Sequence, residues 1–480
     1  MDLDRVIAAL APTEVVGQAP AEVRELAHDA RSVAPGTLFF CVPGTRADGH
    51  DFAGQAVAAG AVALVVERPV EAGVPQLVVE DARAAMAVAA DEFFGHPSRE
   101  LEVAGVTGTN GKTTTSYLLY SILEAAGRRP GLLGNIERRV GSEVRPAALN
   151  TPEAIDLQRL LRDMLDAGNR SCAMEASSHG SELHRLDRVR FAALVFTNLS
   201  REHLDLHGTM ERYFEAKRRL FVEGERPPAA VNVGDPHGRR LADELRGGRV
   251  LTFGLAEDAD VTPEGLELDP EGARFRAAGI DLRTRLPGSF NVENVLGAVA
   301  AARLLGVDDA AIAAGVERLE GVPGRLESVD EGQPFTVLVD YAHKPGALVR
   351  VLEEARALAQ GRVLCVFGCG GDRDPGKRPE MGRIASELAD IAIATSDNPR
   401  SEDPLAIIEA VVAGAPPGAL EVEPDRRAAI VQAVELAQPG DVLVIAGKGD
   451  EQGQEIGGEL RPFDDRAVAR EALRALGARA

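Results

Sequence analysis

The sequence predicts an α/β protein of several domains with mainly parallel sheets. Short apolar runs, typical of buried strands, alternate with alanine-rich amphipathic stretches along most of the chain. A glycine loop between one such run and a helical stretch, at residues 105–115, favours the same class. The length is a third indication, because 480 residues correspond to about three domains at about 150 residues each.

Strands are predicted where apolar runs rich in Val, Ile, Leu and Phe end at turn residues. These runs are residues 38–42, 61–66, 101–106, 191–196, 335–340, 363–368, 391–395 and 441–447. Turn-rich segments at residues 95–98 and 321–324 predict two domain boundaries. The predicted domains are therefore residues 1–97, 98–323 and 324–480.

Charge and composition exclude several classes of function. The chain has 53 Lys and Arg against 75 Asp and Glu, a net charge of −22, which disfavours nonspecific binding to nucleic acid or to anionic membranes. Its first residues are acidic rather than basic, and no apolar run approaches the roughly 18–20 residues that span a bilayer. We therefore expect a cytoplasmic protein, by default a monomer, with no nucleic-acid partner and no membrane insertion.

The segment GVTGTNGKTTT at Gly105–Thr115 is the strongest local signal for chemistry. It follows a predicted strand and precedes a predicted helix, an order that directs backbone N–H groups and a helix N-terminus at a triphosphate. Lys112 is then expected to reach the β and γ phosphate oxygens, and Thr113 to reach Mg²⁺. The generic loop pattern has glycine where this chain has Val106. This departure counts against a P-loop ATPase that drives a motor or switch, which stays open as an alternative together with a glycine turn that binds no nucleotide.

Two more chemically useful residues follow predicted strands. Glu175 ends the run CAME and His203 follows FTNLS, so both are expected at the carboxyl edge of a parallel sheet, where open α/β folds bind ligands. A carboxylate and an imidazole suit a divalent metal beside phosphates, although a solvated carboxylate and a packed histidine are the alternatives. Lys217, next to Arg218 and Arg219, is by itself typical of a solvated basic face.

The loop GTNGKTT resembles that of the Mur ligase superfamily, ATP-dependent enzymes that form amide bonds and include folylpolyglutamate synthases. Other segments resemble the subgroup that adds the third residue of the bacterial cell-wall peptide. They are HDARSVAPGTLFFCVPGTRADGHDF, NTPEAIDLQRLL, MEASSHGSELHRL, FTNLSREHLDLHGTMERYFEAKRRLF, GSFNVENVLGA, GRLE, VDYAHKPGAL, FGCGGDRDPGKRPEMG, SDNPRSEDP and GKGDE. Because these segments occur in family order along the chain, the resemblance covers all three predicted domains.

The resemblance implies a three-domain Mur ligase architecture. A UDP-substrate-binding domain would come first, then a central ATP-binding P-loop domain, then a C-terminal Rossmann-like domain that binds an amino acid. ATP and Mg²⁺ are the implied cofactors. The residues implied to bind ATP are Gly108, Thr109, Asn110, Gly111, Lys112, Thr113, Thr114, Asn294, Arg325, Asp340 and His343. The implied catalytic residues are Lys112, Glu175, His203 and Lys217, and the implied metal ligands are Thr113, Glu175, His203 and Lys217. The lysine that matches Lys217 is usually carbamylated by CO₂, which requires a lysine that loses its proton readily.

Substrate contacts are implied in the same way. The residues implied to bind the UDP-linked substrate are His28, Ala30, Thr45, Arg46, Ala47, Asn150, Thr151, Pro152, Ser177, Leu183 and Arg185. Helix capping is the alternative role for Ser177. The residues implied to bind the amino acid are Arg373, Asp397, Asn398, Pro399, Arg400, Gly447 and Glu451. Ala30, Leu183 and Asp450 depart from the family pattern, which usually has serine, glutamine and histidine there.

The activity implied by the resemblance is an ATP-dependent carboxylate–amine ligase of cytoplasmic peptidoglycan precursor synthesis. It would add meso-diaminopimelate to UDP-MurNAc-L-Ala-D-Glu through an acyl phosphate. The segment DNPR is the reason to expect diaminopimelate, because the Arg400 guanidinium is suited to grip its distal carboxylate with two parallel hydrogen bonds. The same reaction with L-lysine or L,L-diaminopimelate is the nearest alternative, followed by a sibling ligase and by a P-loop ATPase that is not a ligase.

Overall fold

The computed structural model describes residues 3–18, 22–44 and 47–477. It divides into two compact units, one made of Met1–Thr262 with Leu296–Gly315 and the other of Pro263–Val295 with Val316–Ala480. Within the described residues, three sheets consist mainly of parallel strands, which confirms the predicted α/β class. None of the helices in these residues is both long and apolar enough to cross a membrane.

The first sheet belongs to the N-terminal part of the chain. Its elements are α1 (Leu3–Leu10), β1 (Glu14–Val16), β2 (Glu25–Ala27), β3 (Thr37–Phe40), α2 (Ala53–Ala58), β4 (Ala61–Val66), β5 (Gln76–Val78), α3 (Ala82–Phe93) and α4 (Pro97–Glu100). The strand order is β1-β5-β4-β3-β2, and only β1 runs antiparallel to its neighbour among these strands. The predicted run at residues 61–66 coincides with β4.

The second sheet, also in the first unit, carries the glycine loop. Its elements are β6 (Glu102–Thr107), α5 (Lys112–Ala125), β7 (Pro130–Leu133), β8 (Glu137–Val140), β9 (Glu143–Pro146), α6 (Ala154–Asp166), β10 (Ser171–Glu175), α7 (Ser178–Glu182), β11 (Phe191–Phe196), α8 (Leu204–His207), α9 (Met210–Val222), β12 (Ala229–Asn232), α10 (Pro236–Glu244) and β13 (Val250–Phe253). The order β13-β12-β11-β6-β10-β7-β8-β9 puts β6 between β11 and β10. Every residue of β10 is buried, as the continuous apolar runs of a covered parallel sheet predict.

A small antiparallel sheet and two helices follow along the chain. They are β14 (Glu264–Asp269), β15 (Gly272–Ala277), β16 (Ile280–Thr284), α11 (Ser289–Leu304) and α12 (Asp309–Arg318). The burial of β15 and β16 alternates between buried and exposed residues, because one face of the sheet is solvated. This alternation carries no long apolar run, and the sequence analysis did not predict these strands.

The third main sheet lies in the second unit. The elements are β17 (Glu327–Ser328), β18 (Thr336–Asp340), α13 (Pro345–Leu358), β19 (Val363–Cys369), α14 (Lys377–Leu388), β20 (Ile391–Ser396), α15 (Pro404–Val412), β21 (Glu421–Val422), α16 (Arg426–Leu436), β22 (Val442–Ala446), β23 (Gly453–Ile456), β24 (Glu459–Pro462) and α17 (Asp465–Gly477). The order β17-β18-β22-β19-β20-β21 brings together the carboxyl ends of β18, β22, β19 and β20. All seven residues of β19 are buried, including Cys365 and Cys369.

Candidate functional site

The strand register assembles one side of the site in the first unit. Glu175 pairs with Val106 across β10 and β6, and Phe196 pairs with Thr107 across β11 and β6. All three strands are parallel, so the loop after β6, the end of β10 and the segment after β11 meet at one sheet edge. This is the edge at which open α/β sheets bind ligands.

The glycine loop needs glycine at Gly108 for two reasons. Its φ is +148°, a conformation that side chains rarely adopt, and a Cβ there would lie 1.9 Å from the Thr197 hydroxyl oxygen. Gly105 has a different role, because it lies inside β6, where a Cβ would meet the Phe191 ring at 2.5 Å. One glycine therefore shapes the loop, and the other lets two strands pack together.

The loop leads into the N-terminus of α5, a 14-residue helix. Its N-cap residue is Gly111, with φ +84°, and no described side chain caps the helix there. Asn198 shapes the loop before it, since its backbone carbonyl accepts the Thr109 N–H at 2.8 Å and its side-chain oxygen accepts the Asn110 N–H at 3.0 Å. Backbone N–H groups that point out of the N-terminus of a helix suit a phosphate group.

Two lysines converge on the carbonyl of Gly108. Lys112 Nζ donates to it at 2.9 Å and to the Thr109 carbonyl at 2.8 Å. Lys217 Nζ, on α9, donates to the same Gly108 oxygen at 2.8 Å and lies 4.7 Å from the centre of the Tyr213 ring. Lys217 is only 1% exposed, and burial together with the nearby Lys112 charge holds its pKa well below the usual value. It therefore does not belong to a solvated basic face.

Glu175 and Thr113 meet beside the loop. Thr113 Oγ1 donates to Glu175 Oε1 at 2.9 Å, and the Asn135 N–H donates to the same oxygen at 2.9 Å. His203 has a left-handed backbone, with φ +54°. Burial and the charge of Lys112 lower the pKa of His203 to about 4, so its imidazole is neutral near pH 7.

His179 is a residue of this region that the sequence analysis missed. Its ring packs edge to face on His203, with 4.6 Å between ring centres, and burial lowers its pKa to about 4. The quoted segment MEASSHGSELHRL contains His179, but nothing local distinguishes it from a core histidine. Only the approach of α7 to the segment after β11 reveals the contact.

The donor set fits a hard divalent cation. Among the described residues, no three His, Cys, Asp or Glu side chains are grouped so that they alone would hold a metal. The Thr113 hydroxyl and the Glu175 carboxylate are in contact at this edge, and the other two predicted ligands, His203 and Lys217, lie on the segment after β11 and on α9. Oxygen donors with positions left for water and substrate phosphates are typical of Mg²⁺.

Three of the predicted muramoyl-peptide residues, Thr151, Ser177 and Arg185, form one hydrogen-bonded group. Thr151 Oγ1 donates to Ser177 Oγ at 2.9 Å, and the Thr151 carbonyl accepts from Arg185 at 3.0 Å. Ser177 also caps α7, since its hydroxyl accepts the Gly180 N–H at 3.0 Å, so the alternative capping role is real as well. Arg185 is paired with Glu153 at 2.6 Å. Asn150 is half-buried, Pro152 is buried, and Leu183 is the C-cap residue of α7.

The predicted uridine-side residues are described in part. Thr45 and Arg46 lie outside the described residues. Ala47 accepts the Gly44 N–H at 2.9 Å through its carbonyl, His28 is half-buried, and Ala30 is buried. Hydrogen bonds from Arg31 lower the pKa of Asp29, which caps the short helical turn containing Ala30, to about 2.

Gly108–Thr114 belong to the first unit, and the remaining predicted ATP residues belong to the second unit. The Arg325 guanidinium stacks 4.6 Å from the Tyr341 ring centre. Asp340 accepts the Leu326 N–H at 2.7 Å, and burial raises its pKa. His343 Nδ1 lies 2.8 Å from the Tyr341 carbonyl oxygen, and Asn294 donates to Asn291 at 3.0 Å.

The predicted amino-acid residues follow β19, β20 and β22 at the carboxyl edge of their sheet. The Gly371 N–H donates to the Asn398 carbonyl at 2.9 Å, and Arg400 Nη1 donates to the Gly371 carbonyl at 2.6 Å. The loops after β19 and β20 are thereby joined. Asp397, Asn398 and Pro399 are buried, Arg400 is half-buried, and Arg373 is exposed on the loop after β19.

Lys448 is a second residue that the sequence analysis missed. It is fully buried, and its Nζ donates at 3.0 Å both to the Asn398 side-chain oxygen and to Glu451 Oε2. Asn398 also donates to that Glu451 oxygen at 2.8 Å. The sequence did contain a signal for this residue, since Lys448 stands between two glycines just after a buried strand. A lysine at such a position is expected to be buried, and its ammonium then needs hydrogen-bond acceptors inside the fold.

Comparison with known proteins gives this geometry a family. Three family models match the chain: the Mur ligase family catalytic domain over residues 22–94, the Mur ligase middle domain over 106–302, and the Mur ligase glutamate ligase domain over 324–449. The chain belongs to the Mur ligase family. It is therefore an ATP-dependent ligase with the family's three-domain architecture, as the resemblance implied.

Individual relatives of this Mur ligase share most of its length. A protein of Geobacillus kaustophilus named UDP-N-acetylmuramoyl-L-alanyl-D-glutamate--2,6-diaminopimelate ligase is 46% identical over 95% of this chain and 96% of its own. A protein of Solibacter usitatus with the same name is 46% identical over 98% of this chain and 95% of its own. A solved structure of a ligase with that name is 35% identical, with a TM-score of 0.72 and coverage of 98% of both chains.

Proposed function

We propose that this Mur ligase joins meso-diaminopimelate to UDP-MurNAc-L-Ala-D-Glu in the cytoplasmic synthesis of peptidoglycan precursors. The observation that carries the proposal is the shared sheet edge of β6, β10 and β11, which gathers a phosphate loop, a buried carboxylate and a buried lysine. The names of the full-length relatives support the choice of substrates. We assign residues 1–97 to the UDP-linked substrate, 98–323 to ATP and 324–480 to the amino acid.

The reaction activates a carboxylate that is otherwise a poor electrophile. An oxygen of the D-glutamyl γ-carboxylate attacks the γ-phosphorus of ATP, and ADP leaves with the electrons of the broken P–O bond. The amine of the diamino acid then attacks the acyl carbon, inorganic phosphate leaves, and the nitrogen gives up a proton to form the amide. No nucleophilic side chain is required, so positioning and electrostatics carry the rate enhancement.

Lys112 and the first turn of α5 are the parts of this chain that face developing phosphate charge. Lys112 now donates to the carbonyls of Gly108 and Thr109, both within the loop. A bound phosphate would offer its ammonium stronger, charged acceptors at the same place. Helix N–H groups beyond Gly111 supply fixed donors that need no rearrangement during the reaction.

Thr113, Glu175, His203 and a carbamylated Lys217 are the residues that we propose to hold Mg²⁺. When bound, Mg²⁺ neutralises charge on the phosphate oxygens. Burial and Lys112 favour the neutral amine of Lys217, which is the form that adds to CO₂. The neutral amine nitrogen forms a bond to the carbon of CO₂ and releases one proton, so that the amine becomes a negatively charged carbamate. That change supplies an oxygen donor that the unmodified chain lacks at this position.

The substrate loops take the other two partners of the reaction. The hydrogen-bonded group of Thr151, Ser177 and Arg185 lies directly beyond β10, and the Thr151 hydroxyl oxygen lies 3.0 Å from the Glu175 carbonyl oxygen. This contact supports a muramoyl-peptide site adjoining the phosphate site. With Asn150, Pro152 and Leu183 it would hold the peptide, while His28, Ala30, Thr45, Arg46 and Ala47 would hold the uridine nucleotide.

The amino-acid site is built for a substrate with charge at its far end. Arg400 would grip the distal carboxylate of diaminopimelate and Arg373 would add a second cation, while the Gly447 carbonyl and Glu451 would receive the distal ammonium. Lys448 already occupies one oxygen of Glu451, so the ammonium would meet the other oxygen. Asp397, Asn398 and Pro399 hold the Arg400 loop. Lysine has no distal carboxylate to accept hydrogen bonds from Arg400.

The first experiment measures ADP release with purified protein, ATP and Mg²⁺. We expect sustained, catalytic release only when both UDP-MurNAc-L-Ala-D-Glu and a diamino acid are present, because the acyl phosphate formed with the first ADP has to be consumed by an amine before the next turnover. Mass spectrometry of the product should show the amide of the two substrates. ATP turnover that is indifferent to both substrates would instead support an ATPase that drives another process.

The second experiment tests the amino acid with a panel of meso-diaminopimelate, L,L-diaminopimelate, L-lysine and L-ornithine. We expect the wild type to prefer meso-diaminopimelate over lysine by about tenfold to 100-fold in kcat/KM, the scale of one lost charge-assisted contact. Arg400→Ala should remove most of this preference. Arg356→Ala is the matched control. Arg356 is also ion-paired, but its partner Asp390 precedes β20 and therefore lies at the amino ends of the strands, away from the proposed site. Equal use of lysine and diaminopimelate by the wild type would contradict the assignment and leave the ligase activity standing.

A further inference from the structure

We propose that Arg426 is a positioning residue for the diamino-acid site. Its guanidinium donates hydrogen bonds to the carboxyl ends of two strands and thereby fixes the loops that follow them. The inference rests on the proposed function, because the loops it positions are those assigned to the diamino acid. Arg426 is the first residue of α16 and follows its N-cap Asp425. It belongs to none of the sequence segments that pointed to the site.

Arg426 forms a buried ion pair with Asp465, the first residue of α17. Both side chains have no exposed surface. Arg426 Nε donates to Asp465 Oδ1 at 2.7 Å, and Nη2 donates to Oδ2 at 2.7 Å. This two-pronged geometry fixes the guanidinium plane, because both nitrogens on one edge are engaged.

The same guanidinium reaches two backbone carbonyls on different strands. Nη2 donates to the carbonyl of Ala446, the last residue of β22, at 3.0 Å. Nη1 makes a longer contact of 3.4 Å with the carbonyl of Ser396, the last residue of β20. β19 separates these strands in the sheet, so Arg426 links two strand ends that share no ladder hydrogen bonds.

The residues that follow the two carbonyls enter the proposed site directly. Asp397 comes after Ser396, and Gly447 comes after Ala446. The space among them is full, because a Cβ on Gly447 would lie 2.6 Å from Asp397 Oδ2 and 3.6 Å from Arg426 Nη2. Asp397 Oδ2 is buried and accepts no hydrogen bond from any described side chain or backbone group.

If either strand end shifted, the residues that follow it in the loop would shift as well, and their contacts with Glu451 would be displaced. Asn398 follows Asp397 and Lys448 follows Gly447 in the chain, and both side chains donate hydrogen bonds to Glu451 Oε2. These are partly buried contacts of 2.8 and 3.0 Å, and hydrogen bonds of this length tolerate little displacement. Loss of the Arg426 contacts should therefore misplace Glu451 and Arg400 while the phosphate loop of the first unit keeps its structure.

Removal of Arg426 alone would strand the Asp465 charge in the core, so two other variants test the proposal. Arg426→Met/Asp465→Leu removes both charges and keeps similar volume, which buried ion pairs often tolerate. Arg426→Lys keeps the buried positive charge but lacks the planar fork that serves Asp465 and two carbonyls together. Circular dichroism and urea unfolding establish that each variant is folded.

A matched control exists at the opposite edge of the same sheet. Arg362 and Asp441 precede β19 and β22, pair at 2.7 Å, and Arg362 donates to the Leu436 carbonyl at 2.8 Å. Asp441 is 3% exposed and also accepts the Gln438 N–H at 2.9 Å. Arg362→Met/Asp441→Leu should cost stability, yet it lies away from the loops that follow the strands.

The assay is steady-state ADP release with KM measured separately for meso-diaminopimelate, ATP and the UDP-linked substrate. We expect both Arg426 variants to raise the KM for meso-diaminopimelate by about tenfold to 100-fold, the scale of a displacement near 1 Å, with the other two KM values nearly unchanged. The control should leave all three nearly unchanged. A folded Arg426→Lys or Arg426→Met/Asp465→Leu enzyme with the wild-type KM for meso-diaminopimelate would overturn the inference. Failure of the wild type to use any diamino acid would overturn the proposed function instead.

Discussion

Replacement of Gly108 by alanine is the most sharply defined test of the phosphate loop. The new Cβ would lie 1.9 Å from Thr197 Oγ1, and 3.0 Å and 3.1 Å from the backbone N and O atoms of Asn198. The Gly108 φ of +148° is also strained for alanine. The loop and Thr197 cannot both keep their places, so one of them has to move.

The cost has two parts that the structure defines. An alanine held in a sparsely populated backbone region costs about 1–3 kcal/mol. Thr197 Oγ1 donates to the Asn110 carbonyl at 2.6 Å, and turning it away forfeits that hydrogen bond, which is worth about 0.5–1.5 kcal/mol. The expected loss in the free energy of unfolding is therefore about 2–4 kcal/mol.

Urea unfolding of matched variants measures this loss. Gly127→Ala is the control, because Gly127 also has a positive φ, +70°, but a Cβ there would meet nothing within 4 Å. It should lose only the backbone part, about 1–2 kcal/mol. In a Thr197→Ala background, Gly108→Ala should cost about 1 kcal/mol less than in the wild type, since the clashing oxygen is gone.

Activity should fall more than stability in Gly108→Ala. The Gly108 carbonyl accepts both Lys112 and Lys217, so its displacement moves both ammonium groups. We expect kcat/KM for ATP in the ADP-release assay to fall at least about tenfold, as for misplaced catalytic groups in general. A Gly108→Ala enzyme that is as stable as Gly127→Ala and turns over ATP normally would refute the reasoning.

Three further predictions concern charged groups. Lys112→Ala should abolish acyl-phosphate formation in a quenched-flow assay while calorimetric binding of the UDP-linked substrate survives; near-normal ligation would remove the loop from phosphate binding. Lys217→Ala should lose turnover, with partial rescue by small carboxylic acids, and Lys217→Arg should fail because it cannot carry the CO₂-derived carboxylate; full activity of Lys217→Ala would end the metal-ligand assignment. Hydrogen bonds from Arg31 lower the pKa of Asp29 to about 2, so the stability advantage of wild type over Asp29→Asn should be present above about pH 4 and disappear as the pH falls towards 2. It should be below about 1 kcal/mol in urea titrations, because Asp29 is partly exposed.

The sequence alone determined the fold class and the placement of the main strands. Buried parallel strands need continuous apolar runs, so the runs at residues 61–66 and 191–196 mark strands with the bounds that the structure has. The glycine loop was equally visible, since a strand followed by GTNGKTT has a local conformational cause. The family models confirm the three-domain Mur architecture, while the boundaries near residues 97 and 323 stay predictions.

Short strands at or next to the sheet edges were not visible in the sequence. β8, β9 and β17 are antiparallel strands of two to four residues without a single fully buried residue. Their pairing depends on a neighbouring strand that already exists, because so few residues carry no periodic apolar signal of their own. Sequence patterns cannot supply that information.

The candidate site shows the same division. Lys217 stands in a basic run that by itself predicts a solvated face, yet its ammonium is buried against Gly108, 109 positions away in the chain. Arg426 and Lys448 look like ordinary charged residues, and their partners Asp465 and Asn398 are likewise distant in sequence. The sequence by itself determined the features that depend on local patterns, namely the main buried strands and the glycine loop. Only the tertiary structure decided which charged side chains are buried and what they hold, because the partners that stabilise a buried charge come together only when the chain has folded.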